Sequence, residues 1–76
     1  MVDPSKIQEH MHVHASDGKH VGTVDKVEGD RIKLTKNDPT AGGEHHYVPL
    51  SLVESVDRMV KLNVPGEQAK QQITSG

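Results

Sequence analysis

Six histidines are the residues of this 76-residue chain whose spacing points to chemistry. Three of them alternate, at His10, His12 and His14, with Met11, Val13 and Ala15. Successive side chains of an extended strand point to opposite faces, so this spacing puts three imidazoles on one face and three apolar residues on the other. Side chains at i and i+2 lie roughly 7 Å apart, close enough to share one Zn, Ni or Cu ion if another strand brings a further ligand. His45 or its neighbour Glu44 is the candidate for that ligand, so the metal set read from the sequence is His10, His12, His14 and His45. The competing reading needs no ion: alternating histidines make the solvated face of an amphipathic strand. His46 has the parity of Val48, which points it at the core or its rim as a neutral imidazole bonded to backbone.

Other chemistries lack their residues. With no cysteine there is no disulfide framework, thiolate zinc site or thiol nucleophile, which is compatible with a reducing cytoplasm. Ser51 sits in Val48-Pro49-Leu50-Ser51-Leu52, without the glycine-flanked elbow of a nucleophilic serine. Asp17, Asp25, Asp30 and Asp57 lie at or beside predicted turns, where a carboxylate accepts backbone N–H bonds, and no spacing matches a calcium loop. No catalytic residue is assigned, and the expectation is a protein that is not an enzyme.

A formal charge of −2 and a single aromatic residue, Tyr47, exclude a general phosphate-binding surface and the stacking platforms that read RNA. Protonation of all six histidines would take the charge to +4. The start, MVDPSKIQEH, lacks the apolar stretch of a secretory signal, and no apolar run approaches a membrane span. A cytoplasmic protein with neither nucleic-acid nor membrane partners is expected.

The elements that must position the histidines are strands. Ten of the apolar residues are valines, whose branched side chains favour a pleated surface. Asp17-Gly18 and Gly29-Asp30 supply turns in which φ > 0 is cheapest. Asp3 as N-cap and Pro4 predict one short turn through about Glu9. Strands then follow at His10 to Ala15, His20 to Glu28, Arg31 to Thr35 and His45 to Val48. In the second, Val21, Val24 and Val27 are three apart, so side-chain parity must change between Val21 and Val27. A bulge near Gly22-Thr23 is the expected place. Lys36 to Glu44 is a loop, and Ser51 to Glu54 reads as a capping box opening one helical turn, with Leu50, Leu52 or Val53 plugging the end of the small β-barrel that these short, tightly turned strands predict. Ser55 to Asp57 and Met59 to Leu62 supply the last strands. Residues 1–64 are then a single domain and 65–76 a short helix, through Ala69 and Ile73, or a flexible tail.

Ser16-Asp17-Gly18, Val21-Gly22-Thr23-Val24-Asp25, Ile32-Lys33-Leu34, and Tyr47-Val48-Pro49-Leu50 with Val53 and Val56-Asp57 resemble the PRC-barrel pattern over roughly Ile7 to Leu62. With Glu44-His45-His46-Tyr47-Val48-Pro49, the chain is similar to an uncharacterised bacterial branch, domain of unknown function 2171. The resemblance implies an all-β fold: a small, SH3-like antiparallel barrel of about six short strands. Such barrels occur in the photosynthetic reaction-centre H subunit and in a ribosome maturation factor as docking modules, and no catalytic residue comes with them.

The function expected is therefore a noncatalytic protein-interaction or assembly module, acting on a protein partner or by self-association as a homodimer. Its contact surface would be Asn37, Asp38, Gly42, Gly43, Glu44, His45 and Tyr47, on the loop and the strand after it. The alternative is a histidine-based transition-metal-binding or pH-responsive protein, and no cofactor is required unless that alternative holds.

Overall fold

The chain first reverses at Ser16 to Gly18, where Gly18 takes φ 86°, a left-handed backbone open to glycine without strain. The Ala15 N–H donates to the Lys19 carbonyl at 2.8 Å and the Gly18 N–H to the Ala15 carbonyl at 3.0 Å, closing a three-residue hairpin loop. The computed structural model describes residues 4–37 and 43–75. Seven strands are seen there: β1 (His12–His14), β2 (His20–Glu28), β3 (Arg31–Leu34), β4 (His46–Pro49), β5 (Val53–Val56), β6 (Val60–Leu62) and the two-residue β7 (Thr74–Ser75). Short 3-10 turns lie at Pro4–Lys6 and Leu50–Leu52, and α1 (Gly66–Gln72) precedes β7. Asp3, expected as an N-cap, lies outside the described residues.

The class is all-β, as composition and turns indicate, but the architecture differs from a closed antiparallel barrel in two respects. The strands form one sheet in the order β5-β6-β1-β2-β3-β4-β7, and among the described residues its ends do not pair. All neighbours are antiparallel except β1 and β6, which are parallel. The Leu50–Leu52 turn carries the chain past the core, so the β5-β6 hairpin docks on the outer edge of β1 instead of extending the meander beyond β4. Pro49, and not Ser51, stands at the N-cap of that turn, and no side chain caps it. Leu50 and Val53 are the buried residues there.

Strand β2 curls the sheet around its core. It pairs with β1 through its first half and with β3 through its second, and each pairing contains one extra residue on β2. Val21 is extra opposite Val13 and His14, and Asp25 is extra opposite Leu34 and Lys33. Two parity changes are present where the sequence suggested a single bend near Gly22-Thr23. The reason is arithmetic: valines three apart reach one face only if every interval contains an added residue. Val24 is fully buried, while Val21 and Val27 pack partly buried against the core. Gly22 is needed for contact, since a Cβ there would lie 2.8 Å from Leu34 Cδ1.

Val13, Val24, Ile32, Val48, Val60 and Leu62 form the solvent-excluded centre. Burying each such side chain contributes about 1.5–3 kcal/mol. The C-terminal segment docks as a helix: Ala69 is fully buried, Ile73 packs against the core, and β7 pairs with β4.

Asp17 ties that helix to the first hairpin. Its Oδ1 accepts the Lys19 N–H at 3.2 Å and, across the fold, the Gly66 N–H at 3.3 Å. Gly66 opens α1, so Asp17 satisfies a donor with no partner inside the helix. The Lys19 N–H bond is the largest influence on the carboxyl pKa; desolvation, next in size, opposes it, and the Gly66 bond and the Lys19 charge add to it, so the pKa is lowered from its ordinary 3.8. A depressed folded-state pKa stabilises the fold above the unfolded value, and that stabilisation is lost as pH falls through the folded value. Asp17→Asn is accordingly less stable than wild type at neutral pH, and the gap closes as pH drops below 3.8. Urea denaturation of both proteins across the acid range checks this, and a gap independent of pH would contradict it.

Candidate metal centre

The outer face of the first hairpin carries the site. His12 and His14 alternate with buried Val13 on β1, so both imidazoles face outward. The three-residue loop pairs His14 with His20 across the hairpin, and the extra residue at Val21 then shifts the register so that His12 faces Thr23. Paired positions share a face, so His20 joins the two imidazoles of β1.

The ligand atoms of His12, His14 and His20 all lie within 4.8 Å of one another. Their ring centroids are 5.4 Å (His12 to His20), 5.6 Å (His14 to His20) and 6.3 Å (His12 to His14) apart, all edge to face. Such contacts are weakly favourable without an ion. A tetrahedral zinc with Zn–N bonds of about 2.0–2.1 Å needs nitrogens about 3.3 Å apart, so binding draws the rings together by up to about 1.5 Å through side-chain rotation. His12 is exposed and His14 and His20 are half-buried. Three imidazoles with one side open to solvent suit Zn, Ni or Cu.

His20 takes the place to which spacing had pointed His10 or His45. Strand β1 begins only at His12, and His10 sits before it with φ 68°, which breaks the alternation that would have aligned it. Its N–H bonds to the Val24 carbonyl at 2.8 Å. His45 Nδ1 donates to the Leu34 carbonyl at 3.0 Å and lies 3.9 Å from Asp25 Oδ2. His10 and His45 do share with His12 and His20 the lining of an open groove of about 680 Å³, together with Asp25 and Lys36. Half-buried His46 pairs with inward-facing Leu34 and so lies at the rim of the core. A signal for His20 was present in the sequence, because residues 14 and 20 are equidistant from Asp17, the middle of the turn.

Of the expected contact surface, Asn37, Gly43 and Glu44 are exposed and His45 is half-buried. Asp38 and Gly42 lie outside the described residues. Tyr47 is half-buried and covered by Arg31, whose Cζ stands 3.9 Å from the ring centroid, a cation–π contact on the outer face of β3 and β4. Among the described residues no helix is long and apolar enough to cross a membrane.

Residues 7–70 match the model of a family described as "Uncharacterized protein conserved in bacteria (DUF2171)". No curated protein matches the chain.

Proposed function

We propose that this chain, which belongs to the DUF2171 family of uncharacterised bacterial proteins, is a noncatalytic module that binds a transition-metal ion through His12, His14 and His20. The observation that carries this reading is the convergence of three imidazole ligand atoms within 4.8 Å on two paired strands. The position supports binding over turnover, because the site lies on an open sheet face and the cluster contains no carboxylate to act as a base. Calorimetric titration of tag-free protein with Zn²⁺ and Ni²⁺ tests it. The expected dissociation constant is tighter than about 10 μM, equivalent to about 7 kcal/mol, and weaker binding of both ions overturns the reading. Metal at about 100 times its dissociation constant adds about 2.7 kcal/mol to folding stability.

A docking role is the second reading, and it is compatible with the first. Its support is the unpaired outer edges of β5 and β7 among the described residues, with exposed Asn37 lining the groove and exposed Gly43 and Glu44 next to His45 in the chain. The PRC-barrel likeness of the turn and core motifs favours the same role, with a protein partner or a second copy of the chain in the cytoplasm. Self-association predicts a sedimentation coefficient that rises with concentration, and a monomer throughout would remove the homodimer.

A further inference from the structure

We propose that Met59 completes the histidine cluster as a soft fourth ligand and that the site takes copper(I), an inference that rests on the metal-binding reading above. The parallel pairing of β1 with β6 sets Val13 beside Val60 and His14 beside Lys61. Met59 directly precedes Val60, in the turn from β5 to β6, where its carbonyl accepts the Asp57 N–H at 3.1 Å. Val13 and Val60 are fully buried, so their strand neighbours His12, His14 and Lys61 point outward. Met59 is 39% exposed, and among the described residues no other large hydrophobic side chain is exposed. It is absent from the core and from the residues packed against it. A depression of about 470 Å³ is lined by Met59, His14, Asp57 and Lys61, so the thioether and the His14 imidazole open into one space, while His12 and His20 line the larger groove.

The thioether discriminates between metals where imidazole alone does not. Soft sulfur ligands select copper(I), whereas zinc sites are built from thiolate, imidazole and carboxylate. With no cysteine in the chain, methionine supplies the only soft donors. Of the other two methionines, Met11 packs against the core and Met1 lies outside the described residues. The cluster is three histidines without a carboxylate.

The test titrates wild type and Met59→Leu with Cu(I), anaerobically against a chromophoric Cu(I) chelator, and separately with Zn²⁺. Leucine keeps the volume at an exposed position, and the thermal midpoint checks the fold. The variant is expected to bind Cu(I) at least about tenfold more weakly with unchanged Zn²⁺ affinity. X-ray absorption of Cu(I)-loaded wild type is expected to show a sulfur scatterer, and that spectrum decides the question even if the variant misfolds. A nitrogen-only shell, or an equal loss for both metals, overturns the role of Met59 and leaves metal binding standing. Wild-type protein that binds neither ion removes both.

Discussion

Replacing His20 with glutamine lowers Zn²⁺ affinity by more than about 100-fold, since losing a direct ligand costs more than the 10- to 100-fold typical of a group behind one. His10→Gln and His45→Gln leave the affinity essentially unchanged. The three variants separate two descriptions of the same surface. Spacing along one strand selects His10 with His12 and His14, whereas pairing across the hairpin selects His20. His10 precedes β1 with a left-handed backbone and is not among the three converging imidazoles, and His45 Nδ1 is held by the Leu34 carbonyl. Calorimetry on the three proteins, with circular dichroism to confirm the fold, gives the answer. If His10→Gln or His45→Gln abolishes binding while His20→Gln does not, the metal sits in the groove and not on the hairpin.

Ile32→Ala costs about 2–5 kcal/mol, through lost burial and the cavity left behind. Ile32 is fully buried on β3, opposite Val27 on one side and Val48 on the other. A 76-residue domain has about 4–11 kcal/mol of stability in all. The core contains no Phe or Trp to take up the loss, and its valines have little rotamer freedom with which to fill a void. A large fraction of the variant is therefore unfolded, seen as a urea midpoint well below that of wild type. A shift under about 0.5 kcal/mol, the scale of surface changes, would mean that the valine-rich centre does not hold the fold together. On the proposed metal-binding reading, saturating metal is expected to raise the midpoint of this variant, because only the folded hairpin brings the imidazoles of β1 and β2 together.

Much of the fold was legible in local chemistry. Gly18 and Gly29 carry positive φ where the turns were read, and the four strands between Met11 and Pro49 lie within a residue or two of their expected bounds. Asp17 is turn chemistry, as its type and place implied, but its bond to Gly66, 49 residues away, could not be read from either neighbourhood. The parallel approach of β6 to β1 was hidden for a related reason. Val60 and Leu62 look the same in sequence whether their strand extends a meander or docks on the free edge of β1, because both arrangements bury the same side chains. The site was half legible: alternation identifies His12 and His14, and distance from the turn points to His20 only once the hairpin register is known.

By itself the sequence determined the kind of protein this is: a valine-rich, cysteine-free β domain whose available metal ligands are imidazoles, carboxylates and thioethers. Backbone conformation at glycine and the preferences of branched side chains act over a few residues, so they can be read locally. Tertiary structure alone decided which imidazoles meet. The extra residues at Val21 and Asp25 arise because Val21, Val24 and Val27 must all reach a core supplied by distant strands. Those two added residues set the register of β2, and with it the face on which every outward side chain of the hairpin stands.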